Sequence, residues 1–245
     1  MDVKLPERVK TGIDGLDVML NGGFLKGRNI LLSGPAGTGK STFAIQFAYR
    51  GAVDYNEPSL YVTLEETRKK MAEDMSKFGF DLEAARKKGK FEIIGGPLAE
   101  LKLGMHKSDA SYKNLINEIC DVVKEKKISR VVIDSINLFL MLTKNEEEQR
   151  TALAMLCNKL SNLGCTTILT SETKEGTMDL SAHGIEEFVV DGVVVLYLLR
   201  QGSSFVPGIV VRKMRGTAHD KTIRFVEISD KGIVVHPDEA VFQGL

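Results

Sequence analysis

The sequence is short of several residue types and of long apolar runs. It has no tryptophan, three cysteines and six prolines among its 245 residues. Three cysteines cannot all pair with one another, so we expect reduced, packed thiols in a cytoplasmic protein. The longest apolar run, residues 193–199, is too short to cross a bilayer, and the first residues contain no apolar segment typical of a secretory signal. We therefore expect no membrane partner.

The chain also lacks an excess of charge of either sign. It carries 33 basic and 33 acidic residues, which argues against a protein dedicated to coating nucleic acid. Basic residues cluster locally at 68–70, 86–88 and 124–130. These clusters lie in or beside helical patterns and contain no interleaved aromatic residues for base stacking, so we expect solvated helix surfaces there.

Strand patterns alternate with helix patterns along most of the chain. The apolar pattern predicts strands at 29–33, 59–64, 91–94, 130–134 and 166–171, and helices at 40–53, 67–78, 112–126 and 147–163. Four strands then follow without long helices between them, at 189–199, 208–214, 223–228 and 233–236. The sequence therefore predicts a single α/β domain over residues 1–245, with a mainly parallel sheet flanked by helices and a C-terminal antiparallel extension. Residues 95–111 form the longest irregular stretch and predict a mobile loop.

A phosphate-binding loop follows the first predicted strand. Its eight residues match the P-loop pattern and are followed by Thr42: Gly34, Pro35, Ala36, Gly37, Thr38, Gly39, Lys40 and Ser41. The glycines let backbone N–H groups wrap closely around phosphate oxygens, and the following helix adds its positive end. The lysine reaches the β- and γ-phosphates, and the serine hydroxyl is a ligand for Mg²⁺. We therefore expect ATP and Mg²⁺ as ligands.

Carboxylates end two further strands. Asp134 ends an apolar strand, which is the position of the Walker B aspartate that supports Mg²⁺ beside a P-loop. Glu65 and Glu66 end the strand at 59–64. One of them could deprotonate a water at the γ-phosphate. Their pattern alone agrees equally well with acids that favour the start of the following helix.

These motifs together resemble the RecA/RadA superfamily, and within it the single-domain KaiC-like ATPases. The resemblance covers nearly the whole chain, including segments 11–17, 62–67, 131–135, 184–191, 213–219 and 229–233. It implies a RecA-like P-loop NTPase in which Glu65 is the general base, assisted by Glu66, with Lys40 as the remaining catalytic residue. It also implies a ring, a hexamer, with ATP between subunits. Four residues then contact the ATP of the neighbouring subunit or form the interface around it: Lys213, Arg215, Thr217 and His219.

The sequence departs from the clock proteins of this family. Clock KaiC carries two such domains per chain, and its second domain has adjacent Ser and Thr autophosphorylation sites. The corresponding positions here are Glu187 and Phe188, which cannot accept phosphate in that way. The resemblance thus favours a regulatory or signalling ATPase without autokinase activity. Two alternatives stay open: a recombination accessory protein that resembles RadA paralogues and binds single-stranded DNA, and an ATP-sensing scaffold that does not hydrolyse ATP.

Overall fold

The computed structural model describes residues 6–97, 111–177 and 179–241. Within them, eleven strands are defined: β1 Arg8–Val9, β2 Phe24–Leu25, β3 Asn29–Gly34, β4 Ser59–Thr63, β5 Phe91–Gly95, β6 Arg130–Asp134, β7 Thr166–Glu172, β8 Gly192–Gln201, β9 Ser204–Met214, β10 Arg224–Ser229 and β11 Gly232–Ala240. Eight helices accompany them: α1 Leu16–Met19, α2 Lys40–Asp54, α3 Arg68–Ser76, α4 Leu82–Lys87, α5 Tyr112–Glu125, α6 Ile136–Leu140, α7 Glu146–Asn162 and α8 Glu186–Val189.

Nine of these strands form one sheet in the order β11-β10-β9-β8-β3-β7-β6-β4-β5. The pairs from β8 to β5 are parallel, and the pairs from β8 to β11 are antiparallel. The predicted parallel sheet with an antiparallel extension is therefore confirmed. Strands β1 and β2 pair separately as a short antiparallel ribbon.

Each face of the sheet is covered by helices. The core on one face contains Ile30, Leu32 and Tyr61, together with residues of α2, α3 and α4. The core on the other face contains Leu31 and Val62, together with residues of α5, α6 and α7. Side chains alternate between the faces because successive residues of a strand point in opposite directions. Parallel strands that are buried on both faces have nearly continuous apolar sequences, and for this reason they could be predicted from the sequence.

The three cysteines agree with the expectation of packed, reduced thiols. Cys120, Cys157 and Cys165 are free and buried. Burial raises the pKa of Cys157 and of Cys165 to about 12, so both stay protonated at neutral pH. No helix in the described ranges has the length and apolar character needed to span a bilayer.

Several short elements were not predicted. Four helices have only four to six residues each, namely α1, α4, α6 and α8, and the strands β1 and β2 have two residues each. Such lengths are too short to show a periodic pattern. The strand predicted from residue 189 begins instead at Gly192, because Val189 ends α8. An apolar run such as 188–190 does not distinguish a strand from a buried helical turn. Most of the loop predicted at 95–111 lies outside the described residues.

Candidate functional site

The P-loop joins β3 to α2 at the carboxyl edge of the parallel strands. Gly37 and Gly39 have φ angles of 77° and 88°, a left-handed conformation that other residues rarely adopt. A Cβ on Gly39 would lie 3.0 Å from the Ile228 side chain. The Thr38 hydroxyl donates a hydrogen bond to the Pro35 carbonyl at 2.8 Å and closes the turn. The loop therefore forms a tight turn in which backbone N–H groups can face phosphate oxygens.

The Lys40 ammonium lies at the floor of this loop. Nζ donates a hydrogen bond to the Pro35 carbonyl at 2.8 Å and lies 4.0 Å from Oε2 of Glu172. Burial lowers the pKa of Lys40. The negative charges of Glu172, Asp134 and Glu65, in decreasing order of effect, partly offset this shift. A partly desolvated cation whose hydrogen bond goes to a neutral carbonyl gains from an anionic ligand. A phosphate supplies that anion.

Asp134 ends β6 and is fixed from both neighbouring strands. The Tyr61 hydroxyl on β4 donates to Oδ2, and the Thr170 hydroxyl on β7 donates to Oδ1. Burial, followed by the charge and the hydrogen bond of Asp134, raises the pKa of Tyr61 well above its ordinary value, so the phenol remains a donor. The peptide bond between Asp134 and Ser135 is cis. The hydrogen bonds from Tyr61 and Thr170 hold the aspartate in one orientation at the carboxyl edge.

Glu65 follows β4, which pairs with β6 so that Thr63 lies opposite Asp134. This register places Glu65 beside Asp134 at the same edge. Burial raises the pKa of Glu65; a hydrogen bond with Ser135 opposes the shift, and the charges of Asp134 and Glu172 add to it. A carboxylate with a raised pKa is a better proton acceptor near neutral pH.

One cavity of about 240 Å³ unites these groups. Its lining is formed by Ala36, Gly37, Gly39, Lys40, Ser41, Thr42, Glu65, Asp134, Ser135 and Glu172. The two predicted magnesium ligands, Ser41 and Asp134, therefore face the same space as Lys40 and Glu65. Hydroxyl and carboxylate oxygens suit Mg²⁺, which binds few protein groups and keeps phosphate oxygens and water as further ligands. The residues present fit Mg-ATP.

Glu66 is not brought into this arrangement. Its carboxylate accepts a hydrogen bond from Lys70 Nζ at 2.8 Å, one helical turn further on in α3. The i,i+4 spacing favours such a pair at a helix start. The structure therefore separates the two glutamates, and Glu65 alone lines the cavity. The Thr67 side chain caps α3 by accepting from Lys70 N.

Lys213 and Arg215 lie at the opposite end of the parallel strands, where these strands begin. Lys213 on β9 is paired with Val193 on β8, and Val193 is paired with Leu31 near the start of β3. The P-loop begins at the other end of β3, at Gly34. A strand rises about 3.3 Å per residue, so Gly34 lies roughly 10 Å along β3 from Leu31, the residue in register with Lys213. Both basic side chains turn further away and bind carbonyls of the segment 187–190.

Thr217 and His219 lie on the loop after β9, which packs against the N-terminal segment. Arg8 Nη2 donates to the Thr217 hydroxyl at 2.6 Å, and Asn21 donates to the Ala218 carbonyl at 3.0 Å. Both ring nitrogens of His219 are shielded from solvent and lack hydrogen-bond partners within the described residues. None of the four residues from Lys213 to His219 lines the P-loop cavity.

Sequence reasoning missed four residues around the cavity. Glu172 ends β7, between β3 and β6, and its backbone makes two hydrogen bonds with the Asn137 amide. Its strand-end position was as readable as that of Asp134. Ser135, Tyr61 and Thr170 contact the two carboxylates through pairing between strands. No local sequence pattern reveals those contacts.

Five of the ten cations in the basic clusters form salt bridges with neighbouring acids. Lys69 and Lys70 pair with Glu73 and Glu66. In the second cluster Arg86 is bridged to Glu83 and Glu92, and in the third cluster Lys126 is bridged to Glu92 and Arg130 to Glu57. The acids thus neutralise part of each cluster.

Comparison with known proteins extends the description from the site to the family. A family model described as "ATPase: KaiC" matches residues 9–240. A UPF0273 protein of Methanocaldococcus jannaschii is 36% identical over 241 residues, which cover 96% of this chain and 98% of that protein. The circadian clock oscillator protein KaiC of Synechococcus elongatus is 34% identical over 231 residues. Those residues cover 94% of this chain but 44% of the clock protein, so the chain matches less than half of its length.

A solved structure gives the same result for the fold. The crystal structure of a KaiC-like protein from Pyrococcus horikoshii OT3 matches with a TM-score of 0.84 and 40% identity. The match covers 95% of this chain and 100% of the other chain. The predicted RecA-like architecture is confirmed, and the resemblance drawn from the motifs is confirmed with it. The chain belongs to the KaiC family of ATPases.

Proposed function

We propose that the protein is a cytoplasmic, regulatory or signalling ATPase that hydrolyses Mg-ATP between the subunits of a homo-oligomeric ring, with six subunits. The observation that carries hydrolysis is the single cavity that holds Lys40, Ser41, Asp134 and Glu65 together. It supplies a phosphate-binding cation, oxygen ligands for Mg²⁺ and a partly buried carboxylate base in one place.

The chemistry assigns one role to each of these groups. Lys40 and the P-loop N–H groups bind the β- and γ-phosphates, and Ser41 and Asp134 would hold the metal. Mg²⁺ held there would neutralise charge that develops on the phosphates. Glu65 accepts a proton from the water that attacks the γ-phosphorus, while the bond from that phosphorus to the β,γ-bridging oxygen breaks. ADP and phosphate are the products.

The cavity of about 240 Å³ is lined by the groups suited to the triphosphate end of ATP. None of the four residues from Lys213 to His219 lines the cavity of its own subunit. We propose that a neighbouring subunit completes the site, with Lys213 and Arg215 reaching the γ-phosphate and with Thr217 and His219 forming the interface.

Turnover and assembly test this function together. The purified protein should release phosphate from ATP in the presence of Mg²⁺ and should form rings by light scattering and electron microscopy. ATP binding without turnover would favour the non-hydrolysing scaffold instead. A stable monomer with full activity would contradict the shared site. Tight, salt-dependent binding of single-stranded DNA would favour the recombination accessory protein.

Two P-loop variants should separate phosphate binding from metal binding. We expect Lys40→Ala to abolish tight ATP binding, because Lys40 contacts the phosphates directly. Asp134→Asn should retain ATP binding and lose most Mg²⁺-dependent turnover, because Asp134 acts through the metal. Isothermal titration with a non-hydrolysable ATP analogue and phosphate release measure the two effects. Unchanged nucleotide affinity in a folded Lys40→Ala protein would overturn the P-loop assignment.

Incubation with ATP should leave no stable phosphoryl group on the protein. Glu187 and Phe188 stand where the second domain of clock KaiC carries its phosphorylated Ser and Thr, so no acceptor hydroxyl is present at either position. The measurement uses γ-labelled ATP, followed by denaturation and intact-mass spectrometry. The Lys40→Ala protein serves as the blank. Label that survives denaturation in the unsubstituted protein and not in the blank would contradict this prediction.

A further inference from the structure

The one-turn helix α8 is fastened at both of its ends. At its start, the Glu186 side chain is buried completely and binds backbone groups of the preceding loop. At its end, the carbonyls of residues 187, 188 and 190 bind the side chains of Lys213 and Arg215. The helix thus joins a buried carboxylate to the two cations of the proposed trans contact.

The Glu186 carboxylate organises the loop that leads into α8. Oε2 accepts from Ile185 N at 3.1 Å, and both oxygens accept from His183 N at 3.3 Å. The Ser171 hydroxyl donates to Oε1 at 3.4 Å and accepts from Ala182 N at the same distance. A buried carboxylate is costly unless hydrogen bonds satisfy it. Among the described residues no cation forms a salt bridge with Glu186, so backbone donors and one hydroxyl satisfy it.

The far end of α8 holds Lys213 and Arg215 in place. Lys213 Nζ donates to the carbonyls of Glu187 and Val190, each at 2.7 Å, and Arg215 Nη2 donates to the carbonyl of Phe188 at 3.3 Å. Carbonyls at the end of a helix lack intrahelical partners and attract cations. The position of α8 therefore sets the position of both cationic side chains.

We propose, on the basis of the trans-acting role argued above, that Glu186 is the positioning residue that aligns Lys213 and Arg215 for the neighbouring subunit's ATP. It fixes α8 against Ser171, and α8 in turn fixes the two cations. Ser171 directly precedes Glu172, which lines the subunit's own cavity. The same bonds consequently connect the nucleotide site of one subunit to the contact that this subunit offers to the next.

The substitution Glu186→Gln tests this role with little change in size. A glutamine brings an NH₂ donor to a place where His183 N and Ile185 N already donate, so one contact becomes repulsive. We expect kcat to fall about 10- to 100-fold, because misplacing a catalytic group by about 1 Å costs up to that much. The KM for ATP should change little. Glu118→Gln, on the exposed face of α5, is the control and should leave kcat unchanged.

Mixed rings show on which side of the interface Glu186 acts. Rings co-assembled from Glu186→Gln and Glu65→Gln subunits pair an intact cavity with intact cations, so activity should rise well above that of either variant. Rings of Glu186→Gln and Arg215→Ala subunits lack a correctly placed arginine at every interface, so their activity should not exceed that of Glu186→Gln rings. A purely structural lesion would give no rescue in either mixture, because its effect would not depend on the partner variant.

The opposite pattern, or an unchanged kcat in Glu186→Gln, would overturn the role of Glu186. Co-assembly of Arg215→Ala with Glu65→Gln is the separate test of the proposed function. If that pair forms mixed rings and regains no activity, the trans contact itself is wrong and the role of Glu186 is wrong with it. If Glu186→Gln does not fold, Ser171→Ala takes its place in the same mixtures. Wild-type turnover of Ser171→Ala, or rescue of it by Arg215→Ala, would then overturn the proposal.

Discussion

Replacing Arg215 by alanine should lower the kcat of ATP hydrolysis by about 10³- to 10⁵-fold, the range found for arginines supplied in trans. The guanidinium meets negative charge that develops on the transferring phosphoryl group, which neither Lys40 nor the metal fully neutralises. Its hydrogen bond to the Phe188 carbonyl at 3.3 Å uses one of the five N–H donors of the guanidinium, so the others can contact phosphate while α8 holds the side chain. Steady-state phosphate release, measured with rings confirmed by light scattering, gives the value.

The control for this variant lies three residues earlier in the chain. Arg212 is exposed on β9 and lies outside the proposed contact, so Arg212→Ala should keep nearly full activity. Both variants remove one positive charge, so a general effect of net charge would appear in both. Equal losses in the two proteins, or an Arg215→Ala ring as active as the wild type, would contradict the assignment.

Glu65→Gln should bind ATP and hydrolyse it about 10²- to 10⁴-fold more slowly, which is the usual contribution of a general base. The glutamine keeps the size of the side chain and cannot accept the proton of the attacking water. Glu66→Gln is the matched control, because the structure pairs Glu66 with Lys70 outside the cavity. A crippled Glu66→Gln beside a normal Glu65→Gln would show that the other carboxylate is the base.

The pH dependence gives an independent test of Glu65. Burial raises the pKa of this carboxyl, and only its deprotonated form accepts a proton. In the wild type, kcat/KM should therefore fall as pH decreases through a pKa above the ordinary value for glutamate, since kcat/KM reports ionisations of the free enzyme. Glu65→Gln should lose this acid limb. Ionisation of ATP itself affects both proteins and is recognised by its presence in both profiles.

The larger elements of the fold were predictable because each carries a long, regular pattern. Strands β3, β4, β6 and β7 are buried on both faces. Their predicted boundaries, taken from the apolar runs, agree with the observed ones to within one residue. The end of α7 was visible in Gly164, which has a φ of 80° after the last helical turn. The short helix α8 was not predicted, because its position depends on the buried Glu186 and on cations about 25 residues later in the chain.

Some residues of the site could be predicted from the local sequence, whereas others depend on contacts between distant parts of the chain. The P-loop and Asp134 are local: a strand, a turn and a polar residue at a strand end suffice to place them. The sequence left the choice between Glu65 and Glu66 open, and the resemblance kept both. The structure separates them through the Lys70 side chain, one turn into α3. The contacts of Tyr61 and Thr170 with Asp134 depend on the order of strands β4, β6 and β7, which sequence spacing does not contain.

The phosphate cavity and the two proposed trans cations lie at opposite ends of the parallel strands, so the two ends of a subunit carry different groups. The phosphate cavity lies at the carboxyl edge of the parallel strands, and Lys213 and Arg215 lie at the amino edge. In the proposed ring, the contact joins one edge of a subunit to a different edge of the next subunit, and it is therefore heterologous. Heterologous contacts propagate head to tail and end only when the rotation between subunits closes a circle. An open chain of such subunits would leave one cavity and one pair of cations unmatched at its ends, and closure gives every cavity its cations.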